Sequence, residues 1–186
     1  EDHKCSQALE RDPMRSVYVV GTGMTRFGKF PEYSLKDLAG KAVADALADG
    51  QLTANEVQSA FVGNAVAGLM TGQEMVRGRV MLAETGLAGI PIFSVENACA
   101  SSSSAFHLAW MAVASGVNDV AIAVGAEKLT DEDRTRAFRA ISTAVDLEVE
   151  QEVAAQVAGG PIERSYFMDL YAAKAAEYRE RTSATV

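Results

Sequence analysis

Two hydrophobic rhythms alternate along this chain: short unbroken apolar runs, and stretches in which apolar residues recur every three or four positions. Residues 17–20 form the first run, β-branched and aromatic, closing on Gly21, Thr22 and Gly23. This predicts a strand followed by a tight turn. Ser34 then precedes Leu35, Leu38, Val43, Ala46 and Leu47, with Gly50 beyond them, the pattern of a capped amphipathic helix with a glycine stop. Thr53 and Glu56 have capping-box spacing and open one short turn. Residues 60–62 read as a strand ending at Gly63 and Asn64, and residues 73–85 as a helix with Met75, Val76, Val80, Met81 and Leu82 on its apolar face.

Residues 90–95 are apolar and β-rich, and from Ala100 to Ser115 the period turns helical through Phe106, Trp110 and Val113. Residues 119–125 are hydrophobic on both faces, as a buried parallel strand should be. A β-α-β-α-β-α-β order predicts a layered α/β domain with a largely parallel sheet over residues 14–127. The pattern changes after Glu127. Residues 128–160 are charged and rich in Ala and Val, with a break at Gly159, Gly160 and Pro161, and Tyr166 to Arg181 reads as a helix. Residues 128–186 are therefore expected to form a helical insertion or loop region.

Composition narrows the picture. At 186 residues the chain is long enough for one good core. Its 48% hydrophobic and 23% charged residues are ordinary for a globular protein. A net charge of −8 argues against a nucleic-acid partner and against binding to anionic membranes. No apolar run approaches the roughly 20 residues of a membrane span. The only cysteines are Cys5 and Cys99, too few for a disulfide framework, so a reducing, cytoplasmic setting is expected. Residues 1–13 are polar, without an apolar signal-peptide segment, and Met14 has the look of a natural start. They read as a leader or added extension, and His3 is set aside with them.

Cys99 is the leading candidate for chemistry. A lone cysteine is most often a small buried hydrophobe, but this one lies where a strand hands over to a helix among small residues. A helix start stabilises negative charge and so favours the thiolate, the nucleophilic form. Asn97, Ala100, Ser101 and Ser102 flank it and are expected to face substrate, being small enough for close approach; the serine hydroxyls can also satisfy first-turn donors. Glu96, Asn97 and Glu127 either shape the pocket or make structural hydrogen bonds.

Other sites carry less. A dinucleotide fingerprint would need a third glycine at position 26, which is Arg26, so Gly21 to Gly23 reads as a structural turn. His3, His107 and the two cysteines lack zinc spacing, so no metal is expected. His107 lies eight residues beyond Cys99, roughly 12 Å along a helix, and reads as a packing histidine. No Gly-x-Ser-x-Gly elbow surrounds Ser101 to Ser104. Arg134, Arg136 and Arg139 could reach a phosphate, but interleaved with Asp131 and Asp133 they read rather as a solvated helix face.

Four segments carry a family resemblance: the run from Val17 through Gly28, the run from Gly89 through Asn97-Ala-Cys-Ala-Ser-Ser-Ser-Ser-Ala105, the run from Asp119 through Gly125-Ala-Glu-Lys128, and Tyr166-Phe-Met-Asp-Leu-Tyr-Ala172. The chain resembles the N-terminal half of a thiolase, of the sterol-carrier-protein type and its bacterial lipid-transfer-protein relatives. The resemblance implies a mostly parallel five-stranded sheet flanked by helices, and makes Cys99 the catalytic nucleophile. Its substrate would be acyl-CoA or 3-ketoacyl-CoA, with coenzyme A a reactant rather than a held cofactor. It also implies a homodimer and, in a eukaryote, a peroxisomal or mitochondrial location. The acid/base histidine, second cysteine and oxyanion-hole histidine of such enzymes belong to a C-terminal half that these residues lack. Ser102 stands where thiolases usually have glycine, which would crowd substrate or mark a divergent reaction.

Three readings follow. The first is an acyltransferase, present as its N-terminal half or as one subunit. The second is a retro-aldol lyase on steroid side-chain CoA thioesters, paired with a small CoA-thioester-binding partner. The third is a non-catalytic acyl-CoA or lipid carrier.

Overall fold

A computed structural model describes residues 14–148, 152 and 166–185; the expected leader, Cys5 and most of the stretch 149–165 lie outside them. The chain divides into two compact units, Glu1–Gly68 with Gln73–Lys128, and Leu69–Gly72 with Leu129–Val186.

The first unit is built on three parallel strands, β1 (Ser59–Gly63), β2 (Ile92–Val95) and β3 (Ala121–Gly125), in the order β2-β1-β3. All five residues of the central β1 are buried. Its alternation sorts them between two layers. Ala60 and Val62 join Val43, Met81, Leu82, Leu87 and Val124 on one side, whereas Phe61 joins Ala105 and Ala109 on the other. Phe61 and its register partner Phe93 stack with centroids 5.0 Å apart.

The helices α1 (Leu35–Asp49), α2 (Ala67–Thr71), α3 (Arg77–Met81) and α4 (Ser101–Ala114) complete this part of the chain order. The α1 start is the expected capping box: Ser34 Oγ accepts from the Asp37 N–H at 3.2 Å, and Asp37 accepts from the Ser34 N–H at 2.7 Å. The Ser34 hydroxyl, and then its N–H, hold the Asp37 carboxyl below its ordinary value. Thr53 and Glu56 repeat the device at a single 3₁₀ turn, where the Thr53 N–H and then its hydroxyl lower Glu56.

Three expectations are corrected. Residues 17–20 belong to no strand ladder, so the described sheet has three strands rather than five. Their β-branched sequence favours extension, but a strand also needs a neighbour about 4.8 Å away to bond with. Instead a groove of about 630 Å3 lies between residues 16–23 and β3, with Phe106 and Trp110 of α4 on its wall. The segment is held by other means: the Arg15 N–H donates to the Ala114 carbonyl at 3.0 Å, and Asp49 accepts from the Thr22 N–H at 2.8 Å. The Gly21 to Gly23 stretch, expected as a turn, contains none; it is extended chain tied to α1 through Thr22.

The helix expected over 73–85 shrinks to α3, followed by turns. Val76 is left-handed at φ 49° and interrupts the helical path, a conformation for which a β-branched residue is poorly suited. The first helical amides then bond outward, the Gly78 N–H donating to Ser94 Oγ on β2 at 2.9 Å.

In the second unit, α5 (Arg134–Ser142) starts at Asp133, whose carboxylate accepts from the Thr135 hydroxyl and N–H; these bonds, hydroxyl first, lower its pKa. Arg136 pairs with Asp131 at 3.1 Å and Arg139 with Asp133 at 2.7 Å, the solvated face expected of them. The last helix, α6, spans Tyr166–Thr182.

Candidate active site

The three strands end together. Gly63 and Gly125, register partners at the carboxyl ends of β1 and β3, form a bare floor on which α4 begins. A Cβ on Gly63 would stand 2.7 Å from the Ser101 carbonyl and the Ser102 Cα; one on Gly125 would overlap the Ser102 hydroxyl and stand 2.8 Å from its Cβ. Only glycine leaves room for so close a seat. The carboxyl edge of a parallel sheet is also where α/β folds gather reacting groups.

Cys99 sits at this edge, in a 3₁₀ turn (Ala98–Ala100) between β2 and α4. Its thiol is free and exposed, so an external electrophile can reach it. The residues expected around it, Asn97 just before this turn, Ala100 within it and Ser101 and Ser102 at the start of α4, differ in what they offer. Asn97, Ala100 and Ser102 are exposed. The Asn97 amide donates to Ser104 Oγ at 2.9 Å. Ser102 turns its side chain onto Gly125, so the β-carbon that replaces a glycine hydrogen is housed by a second glycine. Ser101, expected to face substrate, is instead 4% exposed. Its hydroxyl accepts from the Asn97 N–H at 2.9 Å and donates to the Ala98 carbonyl at 2.7 Å, which commits it to the turn.

Glu127 and Glu96 make structural hydrogen bonds. Glu127 accepts from Asn64 Nδ2 at 2.9 Å and from the Ala65 N–H at 2.8 Å, joining the loops that leave β1 and β3. Asn64, 4% exposed, also donates to the Ala126 carbonyl and accepts from Arg77. The sequence reading did not single out Asn64 or Arg77 as site residues; the available signal was the polar Asn64 directly following the strand-terminal Gly63 of β1. Lys128 Nζ donates to the carbonyls of Phe30, Pro31 and Tyr33, fixing the loop before α1. His107 is exposed on α4 and stacks on Trp110 at 5.7 Å.

A cysteine at the junction of a parallel strand and a helix is the placement expected from the sequence, whereas the two-glycine floor under the start of α4 emerges only from the structure. The family model described as "Thiolase, N-terminal domain" matches residues 17–181. The chain belongs to the thiolase family. It is 39% identical over 140 residues to an acetyl-CoA acetyltransferase of Methanothermobacter thermautotrophicus, covering 75% of this chain and 36% of that one. It is 40% identical over 116 residues to non-specific lipid-transfer protein-like 2 of Caenorhabditis elegans, covering 61% and 27%. These matches span about a third of the relatives' length or less. The fold is likewise similar to the Acat5 thiolase of Ascaris suum, solved in complex with coenzyme A, with TM-score 0.50 and 18% identity over 60% of this chain and 28% of that one. No helix among the described residues is long and apolar enough to cross a membrane.

Proposed function

We propose that this chain supplies the acyl-accepting half of a thiolase-type acyltransferase. The observation that carries the reading is the exposed Cys99 thiol at the β2–α4 junction, in a chain of this family. In thiolysis, Sγ attacks the 3-keto carbon of a 3-ketoacyl-CoA. The C2–C3 bond breaks, its electron pair leaves with acetyl-CoA and takes up a proton, and the acyl group stays on Sγ as a thioester. The sulfur of a second coenzyme A then attacks that thioester, releasing acyl-CoA and the free thiol. Condensation runs the same steps in reverse.

Covalent capture divides one difficult step into two easier ones. The α4 start supplies the positive end of a helix dipole and its first amides, which favour an oxyanion formed at the substrate carbonyl. A base must also take the Sγ proton. His107 is two turns along α4, roughly 12 Å away, and stacks on Trp110, so it is unsuited to the task. The relatives are about three times as long as the stretch they share with this chain, and the reading assigns the base, and the residues that bind coenzyme A, to that remainder. It places the enzyme as a homodimer in a reducing compartment. The Ser102 side chain rests on Gly125.

The test has two parts. Iodoacetamide should modify Cys99 faster than Cys5, followed by mass spectrometry of the two peptides. In a full-length version, Cys99→Ala should abolish acyl transfer from 3-ketoacyl-CoA to coenzyme A. Equal labelling of both thiols, or full transfer by Cys99→Ala, would sink the proposal.

A further inference from the structure

The residue before the nucleophile is left-handed. Ala98 has φ 45°, a region in which the Cβ of an L-residue crowds the following carbonyl and which only glycine visits freely. Nothing in alanine favours this geometry, so the surroundings must impose it.

Hydrogen bonds pin both peptide groups that flank Ala98. In the group before it, the Ala98 N–H donates to Glu96 Oε1 at 2.6 Å, and the Asn97 carbonyl accepts from the Ala100 N–H at 2.9 Å. In the group after it, the Ala98 carbonyl accepts from Ser101 Oγ at 2.7 Å and from the Ser101 N–H. The same Ser101 Oγ accepts from the Asn97 N–H, one residue upstream. Fixing both peptide planes fixes φ and ψ together. The Cys99 Cα hangs from the second plane, so any rotation at Ala98 swings the thiol away from its place at the strand ends.

We infer that Glu96 and Ser101 are positioning residues for Cys99: they clamp Ala98 in its left-handed conformation, and the clamp determines where the thiol is presented. Neither acts on substrate. Ser101 works from inside the fold and Glu96 from the exposed side, through one carboxylate oxygen that a neutral amide oxygen can replace. The inference rests on the reading of Cys99 as the nucleophile.

The test is the rate of Cys99 alkylation by iodoacetamide across pH, so that a change in ionisation moves the midpoint and a change in presentation moves the plateau. Glu96→Ala should lower the plateau about tenfold, the population shift expected once a left-handed alanine is released. Glu96→Gln should stay within roughly threefold of the parent, because its amide oxygen still accepts from the Ala98 N–H. Ala98→Gly added to Glu96→Ala should restore most of the rate, since glycine adopts positive φ unaided. Ser101→Ala should behave as Glu96→Ala does; if it fails to fold, the exposed Glu96 pair decides alone.

The inference falls if Glu96→Ala keeps the parent plateau, if the Ala and Gln variants shift alike as a pure charge effect would require, or if Ala98→Gly rescues nothing. If Cys99 of the unaltered chain reacts no faster than Cys5, the nucleophile reading fails and takes the inference with it. A reactive Cys99 indifferent to Glu96 overturns the clamp alone.

Discussion

Adding one methyl group at Gly63 should damage this protein, and adding the same group at Gly40 should strengthen it. Gly63 is buried at the end of β1, and its added Cβ would stand 2.7 Å from three atoms, all belonging to the backbone of Ser101 and Ser102. Ordinary contact begins near 3.4 Å, so the start of α4 would have to retreat by roughly 0.7 Å, with no side-chain rotation to relieve it. Overpacking of this kind costs about 2 kcal/mol, equivalent to a urea midpoint about 1 M lower. At Gly40, inside α1, the nearest atom is Thr85 Cγ2 at 3.9 Å. There alanine adds helix propensity and should raise stability by roughly 0.5–1 kcal/mol. Because Cys99 is joined to the start of α4, Gly63→Ala should also slow its alkylation at least tenfold, in line with the roughly hundredfold cost of a 1 Å misplacement in an active site. Urea melts followed by circular dichroism give the first quantity, and timed iodoacetamide labelling the second. A Gly63→Ala midpoint at or above the parent's, or a lowered midpoint with unchanged labelling, would refute the seating argument.

Leu82 is completely buried in the larger core cluster, so Leu82→Ala should cost about 2–5 kcal/mol in a urea melt; a loss below 1 kcal/mol would mean that this cluster is not the core. Glu127→Ala removes the acceptor for Asn64 Nδ2 and two backbone amides and should cost roughly 1–3 kcal/mol, measurable in the same melt. Asp37, Glu56 and Asp133 are all held below their ordinary values by hydrogen bonds that only the folded chain makes. A depressed folded pKa adds stability that is full above the unfolded value and lost as pH falls through the folded one, so the urea midpoint should drop from about pH 5 downward. Ser34→Ala should flatten that slope, and an unchanged slope would remove the Asp37 share.

What could be read from the sequence was local. The Ser34 and Thr53 caps close within three residues, so their partners were visible in the string. The runs at 60–62, 90–95 and 119–125 are β-rich enough to declare themselves, and they locate the three strands observed at 59–63, 92–95 and 121–125. Residues 17–20 show the limit: their preference for extension was legible, but whether a neighbouring strand bonds them depends on parts of the chain far away in sequence. Among the left-handed non-glycine residues, Val76 and Ala98 were illegible because neither residue type favours that backbone. Cys99 was legible as a strand-to-helix junction. The inward commitment of Ser101 was not, since the carbonyl it binds is aimed by the unexpected turn at Ala98. The match of Gly63 to Gly125 likewise emerges only once β1 and β3 are in register.

The position of β1 in the sheet has a consequence in time as well as in space. It bonds to a neighbour on each side and is buried along its whole length, whereas β2 and β3 each have one neighbour among the described residues. Local opening begins where amides have fewest partners, so deuterium should enter the outer strands first and the central one last. The seat of α4, and with it the turn that presents the thiol, is attached to the end of the slowest-exchanging strand. The outer strands of this sheet can open and close many times while the Cys99 thiol stays in register.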